Sequence, residues 1–139
     1  MKRTNLFILL LLLIPEVWAQ KEIRSQITLQ GTWQFELDPD EKGIKQDFPR
    51  KTFSDSVFLP GTTDSNKKGK PNTGKDVTTH LSRIYSYIGK AWYKKEVDIP
   101  KKWKGKDIRL VLERTKPTQI WIDHKEAGSN DNISTSQIY

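Results

Sequence analysis

The chain has 139 residues, no cysteine, a formal charge of +7 and 35% hydrophobic residues. That length is enough for one domain with its own core, and the lack of cysteine excludes disulfide staples, thiol catalysis and zinc–thiolate sites. The basic balance admits an acidic partner, but no recognition helix or nucleic-acid signature accompanies it, so the lysines, denser at Lys67, Lys68, Lys70, Lys75 and at Lys101, Lys102, Lys104, Lys106, read as a solvated surface.

Lys2 and Arg3 precede an unbroken apolar run from Leu6 to Ile14, followed by Pro15, Glu16 and Val17-Trp18-Ala19. The run is far shorter than the ~20 apolar residues of a membrane-spanning helix. It has the layout of an export signal, with the cut expected between Ala19 and Gln20. Residues 1–19 are therefore read as a signal peptide and residues 20–139 as the mature domain. No cysteine stands at the cut to take a lipid, so the mature chain is expected in the periplasm or outside the cell without a membrane anchor.

Ile27 to Leu37 alternates, with Leu29, Trp33, Phe35 and Leu37 on the expected core face and Thr32, Gln34 and Glu36 on the other. Gly31 marks a close approach or a bulge. Asp38-Pro39-Asp40-Glu41-Lys42-Gly43 then supplies turn chemistry. Phe48 and Phe53 are the expected anchors of a mixed polar segment. Val57-Phe58-Leu59 is a short strand stopped by Pro60-Gly61, and 62–80 is a long polar loop.

The pattern sharpens after Lys90. Ala91, Tyr93, Val97 and Ile99 share one parity and Trp92, Lys94, Glu96 and Asp98 the other, with Pro100 as the stop. Asp107 to Arg114 alternates with Ile108, Leu110 and Leu112 inward. In Thr118 to Asp123, Ile120 and Ile122 face one way and Trp121 the other. Asp123 to Glu126 is a hairpin candidate, although it lacks the usual Asp-Gly or Asn-Gly turn. Short alternating strands with punctuated turns and no sustained helical period predict an all-β sandwich or barrel.

Catalytic chemistry is hard to find. His80 and His124, the two histidines, sit in no nucleophile motif and make a weak metal set without cysteine. Glu96, Glu113 and Asp123 lie on expected strands; Glu96 reads as solvent-facing and Glu113 as a surface partner of Arg114, and none is assigned catalysis. Aromatic rings stack on sugars and their polar tips bond hydroxyls. Alternation places Trp33 and Tyr93 in the core, whereas Arg83, Tyr85 and Tyr87 close the long loop and suit a ligand-facing rim.

The order of segments carries a resemblance. Leu29-x-Gly31-x-Trp33-x-Phe35 is followed by Leu59-Pro60-Gly61-Thr62-Thr63-Asp64, then by Leu81-Ser82-Arg83-Ile84-Tyr85-Ser86-Tyr87-Ile88-Gly89-Lys90-Ala91-Trp92-Tyr93. Val97-Asp98-Ile99-Pro100, Trp103-x-Gly105-Lys106, Leu112-Glu113-Arg114-Thr115-Lys116-Pro117, Trp121-Ile122-Asp123 and Ile133-Ser134-Thr135 complete it. Over 27–139 this resembles the N-terminal sugar-binding domain of family 2 glycoside hydrolases, the group of β-galactosidases and β-glucuronidases, in the form found in polysaccharide-degrading Bacteroidetes.

The resemblance implies a jelly-roll, galactose-binding-like β-sandwich. It also implies a following immunoglobulin-like domain and a TIM barrel with two glutamates that cleave terminal β-glycosidic bonds by retention, both outside this chain. This chain would then be inactive alone, with no cofactor and no nucleic-acid partner. Its partners would be the non-reducing end of a glycan and the barrel of the same polypeptide. Arg83 and Tyr85, with Asp64, are the expected substrate contacts.

Two departures stand out. His124 replaces the glycine that relatives often carry after Trp-x-Asp, which suggests a different turn. Ser136 stands where they commonly have proline, and the last strands of the sandwich are expected to be missing. The alternatives are a free-standing secreted carbohydrate-binding module or a basic polyanion-binding protein.

Overall fold

The computed structural model describes residues 25–74 and 82–139. The expected signal peptide, and Lys75, His80 and Leu81, lie outside the described residues. Among those described, the chain forms nine strands and one short 3-10 turn, Lys101–Trp103. The strands are β1 (Gly31–Asp38), β2 (Asp55–Leu59), β3 (Lys70–Pro71), β4 (Tyr85–Ser86), β5 (Lys90–Lys94), β6 (Val111–Leu112), β7 (Thr118–Ile122), β8 (Lys125–Asn130) and β9 (Gln137–Ile138). The protein is all-β and of the sandwich class, as the alternating pattern predicts.

The central sheet has the order β2-β1-β5, antiparallel throughout. Trp33 lies opposite Val57, Phe35 opposite Tyr93 and Leu37 opposite Ala91, so one face collects the apolar parity of all three strands. Phe35 is completely buried there and Val57 nearly so. The Tyr93 ring meets Phe35 edge-on at 5.1 Å. Gly31 opens β1 at φ 108°, a conformation that side chains avoid, and little crowds it: an added Cβ would find only Lys95 Nζ at 3.9 Å.

The opposite face departs from the expectation. Trp92 has the parity read as polar, yet its ring packs against Phe48 at 5.6 Å and Trp121 at 4.8 Å, and Phe48 in turn meets Phe53 at 5.5 Å. Tyr93, expected in the core, keeps 42% of its surface exposed. The segment 39–53 folds back over this face, so the sheet is covered on both sides and alternation alone cannot choose its core. Phe48 and Phe53 are both buried, as expected of anchors.

One carboxylate makes that fold-back possible. Asp38, at the end of β1, is buried. Its Oδ1 accepts from the Lys42 N–H at 2.8 Å, and its Oδ2 accepts from the Gly43 N–H at 2.8 Å and from Trp92 Nε1 at 3.0 Å. The chain passes so close that a Cβ on Gly43 would lie 2.4 Å from Trp92 Nε1, which explains glycine there. The Tyr87 hydroxyl accepts the Asp38 N–H and donates to the Lys90 carbonyl, fixing the start of β5 against the end of β1.

The C-terminal third is built from pairs. β7 and β8 form the expected hairpin, turning on Asp123 and His124 at φ 48° and 67°. Two central residues with positive φ match the type I′ turn usually made by Asn-Gly. His124 is held there by its Nδ1, 2.8 Å from the Pro49 carbonyl of the fold-back segment. Of the strand expected over Asp107–Arg114, Val111 and Leu112 pair with β9 and Leu110 exchanges backbone hydrogen bonds with Tyr139, while Ile108 and Ile122 are exposed.

The stability effects of two side chains follow. Burial pushes the Asp38 carboxyl up, but hydrogen bonds from Trp92, Gly43 and Lys42 and the charge of Lys90 outweigh it and hold it below its ordinary 3.8. Because the folded value is the lower one, its contribution is complete above the unfolded value and is lost as pH falls through the folded one. Asp38→Asn is expected to cost roughly 2 kcal/mol at neutral pH, with the gap to wild type closing in acid below about pH 4. Denaturant titrations across pH measure this, and an unchanged gap in acid refutes the assignment. At the hairpin, His124→Ala gives up the Pro49 bond and keeps an unfavourable φ, so it should cost about 1–2 kcal/mol. His124→Gly relieves the φ and should lie near wild type in the same titration.

Candidate functional site

Around Asp64 the sequence folds into a tight, self-bonded turn. The Thr62 hydroxyl accepts the Ser65 N–H at 3.0 Å, and the Ser65 hydroxyl accepts the Thr62 N–H at 2.9 Å. The Lys67 and Lys68 N–H groups bond back to the Asp64 and Thr63 carbonyls. Short hydroxyl side chains bond their own backbone readily, which is why such a run turns. The segment 62–80 is therefore not structureless in its described part: it also contributes β3.

Asn66 fixes this turn to the central sheet. Its Oδ1 accepts the Phe58 N–H at 2.7 Å and its Nδ2 donates to the Phe58 carbonyl at 3.1 Å. One side-chain amide thus takes the place of a neighbouring strand on the outer edge of β2. Lys68 reaches back from the same turn to an ion pair with Asp55 of β2 and stands 5.8 Å from the Phe35 ring centre. The Lys68 hydrogen bond leads the causes that hold Asp55 below the ordinary carboxyl range.

The structure brings the three expected contact residues to this one place. Asp64 Oδ1 accepts the backbone N–H of Tyr85 at 2.7 Å. β3 pairs with β4, with Pro71 opposite Tyr85 and Lys70 opposite Ser86. Asn72 extends the join, its N–H donating to the Ile84 carbonyl at 2.8 Å and its Nδ2 to the Arg83 carbonyl at 3.0 Å. Gly69 is required at the crossing, since its φ is 109° and a Cβ would lie 2.4 Å from the Ser86 carbonyl oxygen.

The result is a surface patch, the mouth, in which Arg83 is exposed and Tyr85 and Asp64 are half-buried. Chemically it offers a guanidinium fork, a ring face with a hydroxyl, and a carboxylate with one oxygen bonded to the backbone. That set can donate to and accept from hydroxyl groups and stack on a ring. Asp64 was expected as a ligand contact and has a structural duty as well. Asn66 and Asn72, which shape the mouth, were missed; asparagine beside turn residues was the signal that could have found them.

Other chemistry is sparse. Among the described residues no three His, Cys, Asp or Glu side chains gather as a metal set. Several lysines are engaged within the molecule. Lys94 donates to the Phe48 and Lys51 carbonyls and lies 5.0 Å from the Phe53 ring centre. Lys95 donates to the Thr32 carbonyl at 3.1 Å and lies 5.7 Å from the Trp33 ring centre. Lys90 pairs with Glu41 at 2.8 Å.

Comparison with known proteins places this geometry in context. The family described as glycosyl hydrolases family 2, sugar binding domain, matches residues 26–137. A β-glucuronidase from Paenibacillus borealis is 23% identical over 120 residues, covering 86% of this chain and 18% of the relative. The chain thus spans less than a fifth of the length of that relative.

The Asp64–Tyr85 bond makes the mouth testable. Asp64→Ala should cost about 1–2 kcal/mol in the opening free energy of the Tyr85 amide, read as faster hydrogen exchange, and Asp64→Asn should restore most of it. Equal Tyr85 protection in wild type and Asp64→Ala contradicts the role assigned to the carboxylate.

Proposed function

Because the chain belongs to the sugar-binding domain family of family 2 glycosyl hydrolases, we propose that it is the substrate-side wall of an exported β-glycosidase of the β-galactosidase or β-glucuronidase kind. The family match over residues 26–137 carries this reading. Hydrolysis of a terminal β-glycosidic bond would be performed by two carboxylates on a barrel outside this chain, by retention. In the structures that retaining chemistry requires, the two groups stand ~5–5.5 Å apart across the bond. The basic, apolar-cored start of the sequence supports export, with the mature domain beginning at Gln20.

In this reading Arg83, Tyr85 and Asp64 face the terminal sugar. Arg83 donates to ring hydroxyls or to a carboxylate, Tyr85 offers its ring face and hydroxyl, and the free oxygen of Asp64 accepts. The Asp64–Tyr85 and Asn72–Arg83 bonds support the assignment, because a sugar contact must be held before the ligand arrives. Among the described residues no recognition helix accompanies the basic balance, which weighs against a polyanion-binding protein. A free-standing carbohydrate-binding module shares the mouth and differs only in lacking the barrel.

Binding of the purified chain to β-linked galactosides and glucuronides on a glycan array tests the proposal. Arg83→Ala and Tyr85→Ala, which leave the Asp64 backbone bond in place, should each weaken binding by about tenfold, or ~1.4 kcal/mol. No chromophore should be released from p-nitrophenyl β-glycosides. Binding indifferent to both substitutions rules out this mouth, and turnover by the pure chain rules out a barrel-borne catalytic site.

A further inference from the structure

The loops that follow β6 and β8 border an open surface hollow of about 400 Å3, lined by the exposed residues Glu113, Arg114, Ile133, Ser134, Thr135 and Ser136. Small-molecule sites commonly fall at roughly 300–1,000 Å3. Neither Asp64, Arg83 nor Tyr85 lines it, and the β6–β9 pair shares no hydrogen-bonded strand with the β3–β4 pair.

Two observations separate this hollow from an ordinary surface dent. The first is how its walls are held. Gln137 is completely buried. Its Nε2 donates to the carbonyls of Lys116 at 3.2 Å, Asn130 at 3.4 Å and Asn132 at 2.8 Å, and its Oε1 accepts from the Thr118 hydroxyl. Asn132 Oδ1 in turn accepts the Ser134 and Thr135 N–H groups at 2.8 and 3.1 Å. Both bounding loops hang from one buried amide, and among the described residues no buried side-chain polar atom lacks a partner. A fully satisfied buried network rigidifies what it holds.

The second observation is that the lining groups are idle. Among the described residues, Glu113 and Arg114 enter no ion pair, although they are neighbours in sequence and were expected to pair. The side-chain hydroxyls of Ser134, Thr135 and Ser136 have no hydrogen-bond partner either. Rigid walls thus carry a carboxylate that accepts, a guanidinium that donates and hydroxyls that do both. The formal charges of Glu113 and Arg114 sum to zero, so the lining carries no net charge to favour an anion. Ile133, 60% exposed, adds an apolar surface.

We propose that this hollow is a second contact for a neutral sugar unit, apart from the mouth at Arg83 and Tyr85. A pyranose matches it: vicinal hydroxyls answer the carboxylate, guanidinium and hydroxyl set, and the C–H face of the ring answers Ile133. The inference draws on the hollow's own chemistry and does not depend on the reading of the mouth.

The experiment is an amide-resolved NMR titration of the full chain with cellotriose, and separately with galactose 6-sulfate. Saturable shifts at residues 113–114 and 133–136 with cellotriose are expected. Arg114→Asn tolerates the left-handed backbone at that position, φ 52°, and should weaken this binding by about tenfold, equivalent to ~1.4 kcal/mol. Glu113→Gln, which removes the charge without changing shape, should weaken it in the same direction, and Arg83→Ala should leave it unchanged. Preference for the sulfated sugar overturns the proposal, as does binding unaffected by both hollow variants. Shifts confined to 83–86 overturn it while leaving the proposed function standing, and loss of the mouth shifts alone does the reverse.

Discussion

The Asp38 carboxylate holds the two halves of the core to each other. It lies at the end of β1, where the strand would otherwise leave the sheet, and it accepts two backbone N–H groups of the next turn and the indole N–H of Trp92. Charged acceptors make hydrogen bonds roughly twice as strong as neutral ones, and burial raises the cost of leaving any of them unmade. The chain is therefore turned back across the sheet face instead of away from it. Phe48 and Phe53 arrive on that face as a consequence, and Trp92 is pressed between Phe48 and Trp121. Gly43 follows from the same closeness, because no side chain fits between that indole and the backbone.

The aromatic cluster then positions the C-terminal hairpin. Trp121 comes from β7, and His124 at the tip of the hairpin bonds the Pro49 carbonyl of the fold-back segment. The hairpin is thus referred to the central sheet through side chains alone, since β7 and β8 pair only with each other. On the other side of the sheet, Lys68 and Asn66 bring the 62–68 turn onto β2. That turn carries Asp64, and Asp64 carries Tyr85. The mouth is the last member of a chain of contacts that begins in the sheet.

Both proposed sugar contacts use the same physical device. At the mouth, the side chains of Asp64 and Asn72 bond the backbone of the facing segment. At the hollow, those of Gln137 and Asn132 bond the backbone of the bounding loops. In each case amides and carboxylates shape the loops, leaving guanidinium, hydroxyl and ring groups free to meet a ligand. Polar loops with little apolar surface gain rigidity from such satisfied hydrogen bonds.

The sequence by itself determined the strand-rich class, the stop at Pro60, the anchors Phe48 and Phe53, the hairpin at 123–126 and the family; the strand expected to run on to Pro100 ends at Lys94. All of these rest on local signals: period-two alternation, turn residues and the order of short motifs. Arg83 and Tyr85 were legible because they close one polar loop, and Asp64 entered with them through the family resemblance. Only the tertiary structure decided that Trp92 faces a core and Tyr93 is partly exposed, because a sheet covered on both faces gives its two parities equal claim to burial. It alone decided that Asp38, read as a turn residue, is the buried acceptor for a tryptophan 54 positions away. It also decided that Asp64 holds a backbone amide and that Gln137 holds two loops. Hydrogen bonds between side chain and distant backbone leave no period in a sequence, since they depend on which segments the fold happens to bring within about 3 Å.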